Sequence, residues 1–498
     1  MTAIFRWTVL AIISSALFMV VIDMTVLYTA LPRLTHDLMA SASQKLWIVN
    51  AYPLTMAGLL ITMGTLNDRY GAHLFFNGGL VIFGVASVMA AYAPTPEFLI
   101  FSRGILAIGA AAMLPATLAI VRRIFTDAAE RSLAIGIWSA VASGGAALGP
   151  VIGGVLLEHF WWGSVFLINL PVVLITLILA IKLIPAIPGD VSRRFSVIAA
   201  SQILLGIIAT MYAMKEFSNA TPRYTVLLLS GVVGVVMIYF FVRGQKSARH
   251  PMLDLSLFNN RLFSAGVIAA VVATAIVIGL ELVITQRLQL ILGLSPLQAG
   301  VALLPLPLAS FFAGPLVGYI IPRLGSVPAT LGALLISAVG TAAYLFCYDQ
   351  GTWIAAGCLS LIGAGLGGAM TAASTAIMLN SPEESAGTAA SIEGVAYEAG
   401  GSIGIAVLGG ILTMVYMHFM QDLPAIPAIA KDSIDGALLA AGKMAASEGE
   451  ILRNLASHAF MQAFFAVMII SIAALLVTCI SLAGWTRLKS RSSESTSQ

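Results

Sequence analysis

The chain has 498 residues, of which 59% are hydrophobic and only 9% charged, with a net charge of +3 and a mean hydropathy of +0.98. Soluble domains carry roughly 25% charged residues, so a soluble globular protein is excluded, and the small net charge gives no reason to expect a nucleic-acid partner. Apolar composition sustained through the whole length implies an all-α polytopic membrane protein, since about 20 apolar residues make one crossing. Cys347, Cys358 and Cys479 lie in apolar stretches without metal-ligand spacing and imply neither a disulfide framework nor a metal site.

In chain order, apolar windows predict fourteen spans, near 8–32, 46–66, 74–94, 97–121, 132–156, 163–185, 197–217, 223–243, 263–286, 296–320, 326–348, 352–380, 386–416 and 459–484. The first is long for a signal peptide and lacks a small-residue cleavage site, so it is read as a retained helix. An even number puts both termini on one side. Sixteen of the 25 Lys and Arg residues fall on that side and eight opposite, with Arg103 inside span 4, so the positive-inside bias assigns both termini to the cytoplasm.

Gly64-Thr-Leu-Asn-Asp68-Arg69-Tyr-Gly71 after span 2 and Gly318-Tyr-Ile-Ile-Pro-Arg323-Leu-Gly325 after span 10 share the spacing G-x4-R-x-G. This internal repeat suggests two related six-helix bundles, 1–186 and 263–486. Two inserted helices with their cytoplasmic loops, 187–262, would lie between them, and a cytoplasmic tail, 487–498, would follow. Repeated bundles of this kind rock about a central cavity. The extracytoplasmic stretch 417–458 has the composition of short amphipathic helices on the membrane surface, suited to structural spacing or to capping a cavity.

A carboxylate at bilayer depth costs roughly 2.5 kcal/mol or more on insertion scales, so each is a functional candidate. Asp23 lies mid-span in span 1, with no basic residue within a turn, and should face a cavity. Glu281 holds the corresponding place in span 9. Glu393 and Tyr397, four apart in span 13, share a helix face, whereas Glu398, about 140° round from Glu393, has other neighbours. Glu158 sits beside His159, Trp161 and Trp162 and reads as part of an interfacial belt. Arg103 is a lone cation near the outer end of span 4, which either pairs with an acid, polarises a proton relay, or snorkels to the interface. Gly145, Gly149 and Gly153 occupy one face of span 5 at steps of four, followed by Gly154. Pro150 among them removes a backbone hydrogen bond, so a closely packed hinge is expected. Carboxyls in a water-poor cavity become proton carriers, and a cation that displaces the proton is coupled to it by competition.

These motifs resemble the fourteen-span drug:proton antiporters of the major facilitator superfamily over nearly the entire chain. Asp23-Met-Thr25-Val26 with Ala30-Leu31-Pro32 is similar to the first-helix signature, Gly64 to Gly71 to the loop motif, Arg103 to Gly109 to the fourth-helix motif, and Gly145 to Gly154 to the antiporter motif. Phe166-Leu-Ile-Asn169-Leu-Pro171 adds to it. Within the group, Leu46 to Val49, Ser143 to Ala146 and Trp162 to Asn169 resemble the quaternary-ammonium and methyl viologen exporters.

The resemblance implies proton-driven export of lipophilic cations through a bacterial inner membrane, without a cofactor and by a monomer. Asp23, Glu281, Glu393 and Glu398 would serve protons and substrate, Arg103 a proton relay or charge partner, and Gly64, Asp68, Arg69 and Gly71 a conformational latch. Asn50 and Tyr397 would line the cavity. Asn50, Ser310 and Gly394 stand where some of these relatives carry acids, and Ala72 and His73 replace a basic pair. A proton-coupled metabolite transporter of the same fold and an intramembrane enzyme are the competing readings. The first would want cationic or hydrogen-bonding groups at mid-membrane, and the second a nucleophile beside a base or a metal set that the spans do not offer.

Overall fold

The computed structural model describes residues 2–40, 42–186, 188–192, 195–217, 223–248, 251–421 and 427–494. Fourteen helices among them are long and apolar enough to cross a membrane. Spans 1 to 6 are Ala3–Leu31, Trp47–Tyr70, Ala72–Ala91, Pro96–Ile124, Ala128–His159 and Ser164–Leu183. The inserted pair, spans 7 and 8, are Val197–Phe217 and Tyr224–Ser247. Spans 9 to 14 are Arg261–Ile291, Leu297–Leu324, Ser326–Cys347, Thr352–Leu379, Glu383–Gln421 and Ser447–Trp485. Helices satisfy their own backbone hydrogen bonds, which is why a chain this apolar resolves into them.

Buried side chains form two clusters. One gathers spans 1 to 8 and takes in Ile377, Met378, Ala386 and Ala389 from the adjoining ends of spans 12 and 13. The other gathers spans 9 to 14. The repeat is written in the backbone: Gly71 and Gly325 each begin the next helix at positive φ, 106° and 85°, where a side chain would strain the turn. Each repeat also carries a glycine into the other bundle. Gly64 lies against Gly387 and Ser391, and Gly318 lies against Ser132.

One end of the molecule carries both termini, since Arg6 pairs with Glu130 at 2.8 Å and Arg261 donates to Trp485 O at 3.1 Å. At this end the bundles are tied together. Asp68 accepts hydrogen bonds from Gly387 N (2.7 Å), Thr388 N (2.9 Å) and Thr388 Oγ1 (2.6 Å), using the free N–H groups where span 13 begins. Arg122 of span 4 donates to Met378 O and Ser381 O, carbonyls left open where span 12 ends. A single bundle thus caps both sides of the turn between spans 12 and 13.

The second half departs from the sequence expectation at the facing ends of its last two spans. Span 13 continues to Gln421 and span 14 starts at Ser447, shortening the intervening loop. The short helices Ala428–Asp432 and Ile434–Ala441 pack on these extensions. Ile434, Ala437 and Ala441 are buried, and Tyr416 Oη donates to Ala430 O at 2.9 Å.

Candidate functional site

Between the bundles at mid-span lies a cavity of about 290 Å³. Span 1 presents Leu17, Val20, Val21 and Met24 to it, positions that recur at helical spacing. Spans 2, 4 and 5 add apolar groups and Trp138, and spans 10 and 12 add Ser310 and Met370. Its charged lining consists of Glu281, Glu393 and Glu398, with no Lys, Arg or His among the described lining residues. No described residue of 417–458 is among its lining residues; the helix Ile434–Ala441 packs against span 14.

The three acids are held differently. Glu393 is 1% exposed and its Oε1 accepts from Tyr397 Oη at 2.9 Å, while its Oε2 makes no hydrogen bond. Both it and Tyr397 line the cavity, as their four-residue spacing allows. Glu398 also lines it, from a half-buried position. Glu281 enters from span 9, where Gly279 brings the helix against Leu408 of span 13. An apolar chamber with methionine and aromatic walls and only negative charge can hold a lipophilic cation by burial, cation–π contact and charge.

Asp23, which the sequence aims at a cavity, does not line this one. It is 0% exposed, and its Oδ2 accepts from Arg103 Nη1 at 2.7 Å and its Oδ1 from Asn169 Nδ2 at 3.0 Å. The cause is rotation by one residue: Met24 takes the cavity face, leaving Asp23 turned into its own bundle. Arg103, itself 1% exposed, lies over the Tyr52 ring at 4.5 Å. It neither snorkels nor stands alone. Asn169 came through the sequence reading only as part of a motif, and its role as the second donor to Asp23 had no periodic signal.

Asn50 is likewise displaced from the cavity and accepts from Lys215 Nζ of the inserted span 7 at 2.5 Å. In the loop motif, Asp68 reaches the other bundle, whereas Arg69 lies over its neighbour Tyr70 at 5.2 Å. The segment after span 6 covers this turn, with Gly189 against Arg69 and Gly71, and Asp190 N donating to Asp68 O at 2.9 Å.

In span 5, Gly145 faces Phe18 and Val21, Gly149 faces Thr25, and Gly153 faces Val26 and Thr29. Gly154 meets open space and takes no part in that seam. The helix runs unbroken through Pro150, whose side chain lies outside the described set. Farther toward the termini, Gly136 meets Gly314 of span 10, and Ser143 and Ser310 share a hydrogen bond of 2.9 Å across the bundles.

Comparison with known proteins gives a consistent result. Residues 13–405 match the family described as Major Facilitator Superfamily. The methyl viologen resistance protein SmvA of Salmonella typhimurium is 38% identical over 464 residues, covering 92% of this chain and 93% of that one. The multidrug efflux pump LfrA of Mycolicibacterium smegmatis is 35% identical over 465 residues, 91% of each. Among solved structures, the human organic anion transporter MFSD10 superposes with a TM-score of 0.61 at 14% identity, covering 94% of this chain and 99% of that one. The proton:xylose symporter XylE gives a TM-score of 0.58 at 12% identity, with 95% of each chain covered, and like MFSD10 it attests the fold alone.

Proposed function

The chain belongs to the major facilitator superfamily, and from that membership and its cavity we propose that it exports lipophilic cations, coupled to the entry of protons. It is a multi-pass membrane protein; in this reading it works in a bacterial inner membrane with both termini in the cytoplasm, as a monomer and without a cofactor. The observation that carries the reading is the cavity's charge: three carboxylates, apolar and aromatic walls, and no basic residue in the described lining. Such a chamber rejects anions and gives sugars few hydrogen-bond partners. Relatives named for methyl viologen resistance and for multidrug efflux support an outward direction and a cationic substrate.

The geometry suggests how the exchange runs. With the terminal end held by Asp68 and Arg122, a bound cation is shut off from the cytoplasm and protons arrive from the opposite side. Protonation of the cavity acids removes the charge that retains the cation. Release of Asp68 from the start of span 13 would let the bundles rock and open the terminal end, where the acids lose their protons and a new cation binds. The buried Asp23–Arg103 pair stiffens the first bundle next to this path and provides a site at which one proton could part the pair.

The experiment is a proton count. Tetraphenylphosphonium added to the purified protein in weakly buffered solution should release protons, and Glu281→Gln, Glu393→Gln and Glu398→Gln together should abolish the release. Cation binding with no proton release from the wild type would refute the coupling.

A further inference from the structure

Span 13 brings two polar side chains to the cavity one helical turn apart, and they are bonded to each other: Tyr397 Oη donates to Glu393 Oε1 at 2.9 Å. The same hydroxyl lies 3.4 Å from Met370 O of span 12. That is long for an O–H donor, so the carbonyl is a place to which the hydrogen can turn rather than one it holds. A helical carbonyl keeps a second lone pair beyond its own backbone bond. Glu393 is 1% exposed, and its Oε2 makes no hydrogen bond.

The two protonation states of a buried carboxyl ask opposite things of a partner. The carboxylate only accepts, whereas the neutral acid must also donate, and either demand left unmet is costly. A tyrosine hydroxyl meets both. With Glu393 charged, the Tyr397 O–H donates to Oε1. With a proton on Oε1, that O–H donates to Tyr397 Oη, whose own hydrogen turns to Met370 O, and each bond polarises the next. The tyrosine keeps its hydrogen throughout. Of the elements packed against span 13, span 9 adds Glu281 to the described lining, and spans 2, 4 and 12 add no titratable group. Span 13 itself adds Glu398, and Lys215 of span 7 is bonded to Asn50 outside that lining.

We propose that Tyr397 is a positioning residue for Glu393, a hydroxyl that serves the acid in both protonation states and thereby sets the pH at which a proton and a substrate cation exchange there. The inference rests on the cation-export reading and gives one of its acids a mechanism. The bond to the charged acid is the stronger of the two, so the tyrosine favours the state that binds a cation. It occupies Oε1 and leaves Oε2 for the substrate. After protonation the same hydroxyl ties span 13 to span 12 through Met370 O, so the proton that displaces the cation also changes a contact between helices.

The test is the affinity of ethidium as a function of pH, measured on purified full-length protein in nanodiscs. Wild-type binding should strengthen as the pH rises and Glu393 gives up its proton. In Tyr397→Phe the carboxylate loses a charge-assisted bond and the neutral acid a weaker one, so the midpoint of that rise should move up by about one pH unit. On a Glu393→Gln background, Tyr397→Phe should move the midpoint no further. Ser374, one turn beyond Met370 on span 12, is also buried with its hydroxyl unbonded, and Ser374→Ala should shift the midpoint much less than Tyr397→Phe does. Where Tyr397→Phe fails to fold, 3-fluorotyrosine at this position, a stronger donor, should move the midpoint down. An unmoved midpoint with a lower affinity at alkaline pH would overturn the proposal and leave Tyr397 as part of the cavity wall. A shift that persists without Glu393, or an equal shift in Ser374→Ala, would overturn it as well. A wild-type protein that binds ethidium at no pH would instead refute the cation-export reading, so the two failures are told apart.

Discussion

Asp23 and Arg103 are separated by 80 residues, and each is costly at bilayer depth without the other. Asp23→Asn would strand a buried guanidinium, which costs about 3–5 kcal/mol when one partner of a buried pair is removed. We expect Asp23→Asn to lower the melting temperature and folded yield, and Asp23→Asn combined with Arg103→Gln to recover both while transport stays lost. An Asp23→Asn protein as stable as wild type would contradict the pair's structural weight. The cavity acids call for a different assay. Glu281→Gln and Glu393→Gln should impair export of dications such as methyl viologen about tenfold more than export of matched monocations; resistance and vesicle uptake, with expression checked, provide the measure, and equal losses would mean that these acids serve proton coupling or stability alone. Membrane depth made all of these carboxylates visible in the sequence, and the spacing of Glu393 and Tyr397 gave their shared face. What it could not give was rotation about the helix axis, which sends Met24 into the cavity and Asp23 away from it, or the partner of an isolated charge on a distant span.

Helices 1 and 5 meet along a seam of small residues. A β-branched side chain at Gly149 would collide with Thr25, whose side chain already occupies that space. Gly149→Val is therefore expected to abolish efflux or make the protein leak protons, read from dye retention and pH decay in vesicles; wild-type activity would remove the packing argument. Gly154→Ala should be silent in the same assay, because that position meets open space. At the terminal end, Asp68→Asn keeps the shape but weakens three hydrogen bonds made by a charged acceptor. Transport rate should fall several-fold while equilibrium dye affinity moves less than about threefold, by analogy with loss of one or two charge-assisted hydrogen bonds; a matching fall in affinity would argue against a latch. The number and order of the spans could be read from hydropathy, and the repeated loop pointed to two related bundles; the crossings of span 2 with 13 and span 5 with 10 came only from the structure. Helix ends were less legible: spans 13 and 14 run on past their expected ends, to Gln421 and from Ser447, where the short helices between them pack an apolar face, a tertiary effect with no signature in a hydropathy window.

Across the whole molecule, the bundles are bound at the end that carries the termini, by Asp68, by Arg122 and by the contact of Gly136 with Gly314, while the charged cavity lies deeper between them. Major facilitator proteins with two repeats exchange access by rocking, and in this chain the turn between spans 12 and 13 is the piece that both Asp68 and Arg122 hold. The inserted spans are more than a linker, since span 7 gives Lys215 to Asn50 of span 2 and the segment before it covers the loop motif. Export of a cation against protons is the claim on which the other readings depend. Its most direct measurement is ethidium accumulation in everted vesicles with an imposed pH gradient, acid inside. The account predicts uptake that requires the gradient, collapses with a proton ionophore and is lost in Glu281→Gln with Glu393→Gln. Uptake that persists without any gradient, or a gradient that moves no cation in the wild type, would contradict it.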